Sequence, residues 1–529
     1  MASKTKCPRC GTGMAKDGHA NGKQKYTCNN KSCSMTQTTA PIGVEAALRE
    51  GVDPTISRYN AAEMREKPKT VKRYLVTAAQ NATGIHMSFF KSMLAYLDYN
   101  KNTDLRVVPY RYHNPTSMWG QMARASDTWA EELVPFLVDR RVPLGDHMLL
   151  LGDIKTQPTA SRPLEGFETI SGARSAIIAH PKLELMSIPT PQQRLPKLLT
   201  TTGAVTLRNY IPSKAGKKGE FHHTFGAALV EITSTGGFHL RQINAVKDGS
   251  FIDLDREYRP DGTTKRVRAS GLVMGDTHVK WVDPKVVAAT FGEGGMLDVL
   301  RPSELVWHDL HDGYARNHHD EKHLITNYVK HHMGHDDIER ELRQTFEFLA
   351  KHTREGLSNV VVDSNHPRWL SQWLNRVNPR DDLQNVVFWA NTLAMVASTA
   401  RMGEHGVEST DPFKLWAARM LPTAVQLQTK FLGSDESHTI EGIEVGMHGD
   451  RGANGAKGSP ETFAKLGVKN ITGDGHAPWI RDGAYRVGTS TRLQLQYTHG
   501  PSSWLHTHCV IYSSGKRSLL NIIDGNWKG

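Results

Sequence analysis

The sequence predicts a multidomain α/β protein that begins with a small metal-bound module. Three observations carry that reading. Two short-spaced cysteine pairs lie within the first 33 residues, an apolar–amphipathic–apolar succession spans 73 to 110, and from about residue 268 a series of short apolar runs each ends in Asp, His or Asn. A chain of 529 residues is several times the usual domain size, so two or three domains are expected. With 38% apolar and 22% charged residues it reads as soluble and globular. No apolar run approaches the ~20 residues that cross a bilayer, and the richest, from Val386 to Ala400, is interrupted by Asn391. A membrane protein is therefore excluded. No secretory apolar core follows the first lysines, and five cysteines are too few for a disulfide scaffold of this size, which points to a reducing cytoplasm.

The formal charge is +11, from 65 Lys and Arg against 54 Asp and Glu, and suggests a polyanionic partner. Residues 1 to 75 hold 14 basic and 6 acidic residues, a net of +8, so the excess is concentrated at the N-terminal end. There Cys7-Pro-Arg-Cys10 is followed after seventeen residues by Cys28 and Cys33. This spacing resembles a zinc ribbon over 1–40, in which four thiolates close a tetrahedral structural Zn²⁺ site. So short a segment cannot bury enough apolar surface alone, so the metal would supply its folding energy. Lys4, Lys6, Arg9, Lys16, Lys23, Lys25 and Lys31 can neutralise phosphates and Tyr26 can stack on a base, although a solvated basic face has the same composition. His19 is superfluous once four cysteines fill the shell. Residues 41–72 are polar and mixed in charge, and read as a linker with short helices at Val44 to Glu50 and Ala61 to Glu66.

An accessory α/β domain is expected over 73–265. Arg73-Tyr-Leu-Val-Thr-Ala-Ala reads as a buried strand, His86 to Tyr99 as a helix and Leu105-Arg-Val-Val-Pro-Tyr as a second strand. Further strands are expected at Met148 to Leu151, Ser175 to Ala179, Ala204 to Leu207 and Ala227 to Ile232. Arg111, Asn114, Thr116 and Ser117 follow the second strand, where such sheets commonly bind ligands, or else form an ordinary polar loop. Lys214, Lys217, Lys218, His222 and His223 can touch phosphates, but a solvated loop is the better reading of them.

The third region, 268–529, carries the chemistry. Gly271-Leu-Val-Met-Gly-Asp276-Thr-His278 is an apolar run ending in Asp-x-His. Leu305-Val-Trp-His308-Asp309-Leu-His311-Asp312, Asn359-Val-Val-Val-Asp363-Ser-Asn365-His366, Val445-Gly-Met-His448-Gly449 and Val468-Lys-Asn-Ile-Thr-Gly473-Asp474-Gly-His476-Ala-Pro478 repeat the construction. Each run delivers hard or borderline metal ligands from the end of a buried strand.

This ordered series resembles the calcineurin-like metallophosphoesterases, whose motifs run Asp-x-His, Gly-Asp-x-x-Asp, Gly-Asn-His-Asp/Glu, His and Gly-His-x-His. The resemblance covers 268 to about 500 and implies a four-layer β-sandwich flanked by helices. Carried over, it implies one cation held by Asp276, His278, Asp309 and His476, and a second held by Asp309, Asn365, His448 and Asp474, with Asp309 shared. Two such cations can acidify a water and neutralise phosphate oxygens, and His366 would assist the leaving oxygen. Three positions depart from the pattern: His308 replaces the Gly before the second motif's Asp, Pro367 stands where an acid is common, and Asp474 takes the place of a His. A carboxylate at 474 tilts the second site toward Mn²⁺ or Mg²⁺ and away from Zn²⁺. His506-Thr-His508 is a rival for the last motif but lacks its Gly turn, and reads as structural, as does the neighbouring Cys509. The loop from Gly449 to Ser459 fails the Walker pattern because Gly458 follows Lys457, yet Arg451 and Lys457 can meet a phosphodiester backbone from it.

The stretch from His448 through Trp527, with Val487-Gly-Thr-Ser-Thr, Gly500-Pro-Ser-Ser-Trp and Ile522-Ile-Asp-Gly-Asn-Trp, and Arg73 through Thr116 are also similar to a phage-encoded metallophosphoesterase group that includes pre-early DNA-transfer and host-DNA-degradation proteins. This implies a metal-dependent nuclease acting on DNA in the host cytoplasm, possible as a homo-oligomer. The alternative is a zinc-ribbon DNA-binding regulator or DNA-transfer scaffold whose metal centre has lost catalysis, and a third is a phosphatase acting on small phosphoesters.

Overall fold

The structure is a computed structural model and describes residues 7, 10, 12–20, 23–33, 36–38, 72–112, 129–191, 197–317, 320, 323–404, 406–495 and 498–529. Residues 41–71, read as a linker, and Asn114, Thr116 and Ser117 lie outside the described residues.

Near the N-terminus, strands Met14–Ala20, Lys23–Cys28 and Thr36–Thr38 form an antiparallel sheet. Elsewhere three large sheets dominate the chain. The first has four strands, ordered Phe238–Asn244, Gly226–Ile232, Lys72–Gln80 and Thr103–Tyr110. Its parallel pair is joined through the helix Met87–Tyr99, the strand–helix–strand unit expected from the apolar pattern. One face packs on that helix through Leu75, Leu105 and Leu229 against Phe89, Phe90, Met93 and Tyr96. The opposite face, with Val76, Val108 and Val230, joins the main core.

The second sheet has six strands, ordered Thr429–Phe431, Ser358–Val361, Glu304–Trp307, Ala269–Val273, Thr507–Tyr512 and Arg517–Asn521. The first four are mutually parallel, and side chains alternate across them. Leu272, Leu305, Trp307 and Val361 face a layer of helices that includes Pro284–Phe291, Ile338–His352, Asn365–Arg376 and Pro412–Met420. Val273, Val306 and Val360 point the other way, onto Ile440, Ile443, Ile471 and Ile480 of the third sheet. Burial on both faces is why these strands read as unbroken apolar runs.

The third sheet has ten strands, and its order corrects the expected domain boundary. It combines strands Arg141–Pro143, Met148–Leu151, Ser175–Ile178, Leu185–Ile188 and Lys197–Thr201 with Thr439–Ile440, Ile443–Glu444, Asn470–Thr472, Trp479–Arg481 and Ala484–Arg486. The join is Leu185–Ile188 paired antiparallel with Trp479–Arg481. The segments 73–265 and 268–529 therefore share one sheet and one core. This join is not visible in local periodicity, because its two strands lie nearly three hundred residues apart in the chain. The stretch Ala204 to Leu207, expected as a strand, makes only isolated bridges, Ala204 with Phe225 and Thr206 with Ile85. Among the described residues no helix is long and apolar enough to cross a membrane.

Candidate metal centre

The site forms where the parallel strands of the six-stranded sheet end, the usual place for ligands in open α/β sheets. Past Ala269–Val273 and Glu304–Trp307 the two chains stay laced together. The Thr277 amide donates to His308 O (3.0 Å) and the His278 amide to Asp309 O (2.7 Å). The Gly275 amide donates to His508 Nδ1 (2.9 Å), while His508 Nε2 lies 3.0 Å from Thr290 Oγ1. His508 is thus a structural buttress for the turn that bears Asp276, and His506 likewise engages a backbone oxygen, that of Thr491, at 2.7 Å.

Backbone strain marks the same place. Among the described residues twelve non-glycine residues have positive φ, and four of them are predicted site residues: His278 (40°), Asp309 (44°), Asp474 (65°) and His476 (52°). Each such conformation costs on the order of 1 to 3 kcal/mol and persists only where the surroundings over-determine it. Glycine at 473 is required for space, since any Cβ there would run into Asp276 Oδ1 and the His308 ring.

The side chains converge. His476 Nε2 is 3.1 Å from Asp276 Oδ2, His448 Nε2 is 3.0 Å from Asp309 Oδ2, and His278 Nε2 is 3.4 Å from Asp309 Oδ2 and 3.3 Å from His476 Nε2. Two compact donor triads result, His278–Asp309–His476 and Asp276–Asp309–His448, with Asp309 common to both. A third, His278–Asp312–His366, adjoins them. The donors of the first two triads are all buried, and Oδ1 of both Asp276 and Asp309 has no hydrogen-bond partner. Buried carboxylate oxygens without a partner are costly, and a cation satisfies them. The mixed imidazole–carboxylate set suits Mn²⁺, Fe²⁺ or Zn²⁺ better than Mg²⁺, which prefers oxygen donors alone.

The electrostatics point the same way. Burial pushes the Asp309 carboxyl up, but His448, His366 and His278 outweigh it and hold it well below the usual range. Burial alone would lower both His278 and His448; the neighbouring aspartates instead raise them to about 9 and about 10. Carboxylates this close demand positive charge, which protons on the imidazoles supply in the absence of a metal ion. Divalent cations would displace those protons.

Two residues of the site were not singled out as participants from the sequence. Asp312 Oδ1 lies 2.9 Å from His278 Nδ1, and its backbone oxygen lies 2.6 Å from His366 Nδ1. It thereby fixes both His278 and His366, and its i+3 spacing from Asp309, matching the Asp-x-x-Asp of the second motif, was the available signal. His308 Nδ1 lies 3.3 Å from His448 Nδ1, and burial, followed by the charge on His448, lowers its pKa to about 4. A neutral His308 accepts the His448 Nδ1 proton and leaves Nε2 facing Asp309.

Other expected ligands are placed differently. Asn365 is exposed at the first position of the helix Asn365–Arg376, with Pro367 in the first turn, where a missing N–H costs nothing. Asp474 is half-buried; burial raises its pKa and His448 lowers it, but it joins neither triad. Arg451 and Lys457 are exposed and face each other across an isolated antiparallel bridge. The root of their loop is anchored by Asp450, which pairs with Arg368.

In the N-terminal module Cys7, Cys10, Cys28 and Cys33 gather into one four-sulfur group, with Sγ atoms 3.8 Å apart for Cys7 and Cys33 and 3.4 Å for Cys10 and Cys28. Four thiolates are a donor set for a structural Zn²⁺. Lys31 is exposed; Lys4, Lys6 and Arg9 lie outside the described residues.

Fold and site together define a mixed α/β protein with a four-cysteine module and a buried carboxylate–imidazole centre fit for metal ions. The chain is 32% identical over 479 residues to Protein A1 of Escherichia phage T5, a match that covers 87% of this chain and 83% of that protein. It belongs to the family of that phage protein. No family model matches the chain, and no solved structure matches it.

Proposed function

We propose that this is a phage-encoded, metal-dependent phosphodiesterase acting on DNA in the host cytoplasm, in host DNA degradation or phage DNA transfer, with its C-terminal half a member of the calcineurin-like metallophosphoesterases. The single observation that supports this most is Asp309 standing in two donor triads at once, the arrangement a two-cation phosphoester centre needs. The ordered motifs, the two face-packed sheets flanked by helices and the basic four-cysteine module are consistent with it.

Bound divalent cations would supply an acidified water and charge neutralisation at phosphate. The chain's own groups do the rest. Asp276, His278, Asp309, His448 and His476 bind. Asp312 and His308 orient the imidazoles beside them. His366, with Nδ1 at the Asp312 backbone oxygen and Nε2 3.9 Å from Asp309 Oδ2, presents a proton toward the leaving oxygen. Arg451 and Lys457, on the neighbouring lip, would meet the backbone of a long polyanion, and Asn365 and Asp474 would enter the second site on substrate or metal binding.

The test is cleavage of plasmid and linear DNA with added Mn²⁺ or Mg²⁺, comparing the native chain with His366→Ala. Cleavage that needs the added ion and falls by at least 100-fold in His366→Ala is expected. The exposure of Asn365 and the position of Asp474 outside both triads favour one competitor, a DNA-transfer scaffold with an incomplete second site. DNA that is bound but left intact with every divalent ion would establish that competitor instead.

A further inference from the structure

At the opposite end of the ten-stranded sheet lies a cleft of about 610 Å³ that none of the chemistry above uses. Its walls come from Lys469 and Gly483, which precede the strands Asn470–Thr472 and Ala484–Arg486, from the turn at Gly515 and Lys516, and from the C-terminal end of the helix Lys214–His222. Those two strands run from the cleft toward the metal centre, so at ~3.3 Å per residue the two sites lie on the order of 15 Å apart. The volume is that of a small-molecule site.

Its charge is one-sided. Five Lys and Arg residues line it, against a single acid, Asp482. That acid is already engaged, 2.9 Å from Lys182 Nζ and 3.3 Å from His222 Nδ1. Arg517 is tied to the wall, donating to the backbone oxygens of Asn470 and Gly483 and lying 3.9 Å from the centre of the Tyr485 ring. Among the described residues Lys465, Lys469 and Lys516 form no ion pair. Lys516 is half-buried, and its burial and the like charges of Lys469 and Arg208 depress its pKa. Lys465 and Lys469 are exposed and Lys516 half-buried, so the charge the cleft offers to a ligand is positive and favours an anion. At the rim, Phe221 is 82% exposed and Val468 54% exposed, which offers a flat apolar surface beside those cations.

We infer that this cleft binds a nucleotide unit, its phosphate held by Lys469 and Lys516 and its base lying on Phe221. One ligand thereby uses both the unpaired charge and the exposed ring, since base–aromatic stacking beside a cationic groove is how single strands are held without regard to sequence. The same chemistry is offered by a free nucleotide and by a segment of single-stranded DNA. The inference does not rest on hydrolysis at the metal centre, and it is tested without divalent ions.

The experiment uses the full-length protein and a labelled ten-nucleotide DNA strand carrying 5-bromodeoxyuridine. Irradiation is expected to crosslink the strand to the peptide containing Phe221. By fluorescence anisotropy, Lys469→Ala with Lys516→Ala should weaken binding at least tenfold and reduce the slope of log affinity against log salt by about 1.4, two phosphate contacts for a single strand. Phe221→Ala should weaken binding at least fivefold and leave the slope unchanged. Lys469→Glu, at an exposed position, repeats the charge test without disturbing the half-buried Lys516. Displacement of the crosslink by thymidine monophosphate identifies a free-nucleotide site, and displacement by oligonucleotide alone identifies a strand site. A crosslink confined to other peptides, with affinity and salt slope unaltered in all three variants, overturns the inference.

Discussion

Nε2 of His448 lies 3.0 Å from Oδ2 of Asp309, although the two residues follow strands of different sheets, Ile443–Glu444 and Glu304–Trp307. The pair bridges the six-stranded and ten-stranded layers beyond the ends of those strands. Because Asp309 stands in both donor triads, its loss should empty both. Asp309→Ala is expected to lose all divalent metal other than any held by the four-cysteine group, read by elemental analysis of the purified protein after Mn²⁺ loading. Full retention of Mn²⁺ would remove Asp309 from the centre.

Gly473 makes a purely steric prediction. A methyl at this position overlaps Asp276 Oδ1 and crowds His308 at 3.1 Å, so Gly473→Ala should weaken Mn²⁺ binding by at least tenfold while the far-ultraviolet circular dichroism stays native. Titration calorimetry would expose the alternative, in which the loop shifts and affinity is unchanged.

His308 tests the orienting role assigned to it. His308→Phe keeps an aromatic ring but takes away the acceptor at 3.3 Å from His448 Nδ1. Loss of such an orienting partner typically costs 10- to 100-fold in metal affinity or activity. A drop within that range is expected here, with partial recovery in His308→Gln.

Far from the centre, Glu231 sets a limit on acid stability. Its carboxylate is 2.7 Å from Arg73 Nε and 2.5 Å from Arg241 Nη1, and Arg241 Nε reaches Asp253 at 2.7 Å. Burial would raise its pKa; Arg241 and then Arg73 override burial and lower it to about 2. A carboxylate ionises near 4.3 when unfolded, so its contribution is complete above about pH 4.3 and is lost as the pH falls toward 2. A shift of this size corresponds to roughly 3 kcal/mol. Glu231→Gln should therefore destabilise the native chain at pH 7 by several kcal/mol, leaving Arg241 buried with one fewer partner. Measured by denaturant titration, the gap between the two proteins should narrow as the pH is lowered from 5 toward 2.

The four-cysteine module gives a local prediction. Cys28→Ser should lower the zinc content by one equivalent and weaken DNA binding, while the Mn²⁺ stoichiometry of the centre is unaffected. Loss of zinc with DNA affinity intact would separate the module from nucleic acid.

Local periodicity and motif order were enough to place the cysteine pairs, the strand–helix–strand unit at 72–110 and the strand ends carrying Asp276, His278, Asp309, His448 and His476. These features depend on neighbours within a few residues: a strand buried on both faces must be apolar throughout, and a ligand at its tip must follow at once. Long-range pairing lay beyond that reach. Nothing near Leu185 announces that it will lie beside Trp479, so the shared ten-stranded sheet and the lost boundary near 265 emerged only from packing. The same holds for Asn365 and Asp474, whose neighbours in sequence fit a ligand motif while the backbone turns one outward and leaves the other outside both triads. Asp312 and His308 show the converse, since an orienting contact is defined by the ring it meets across space and leaves little trace in the order of residues along the chain.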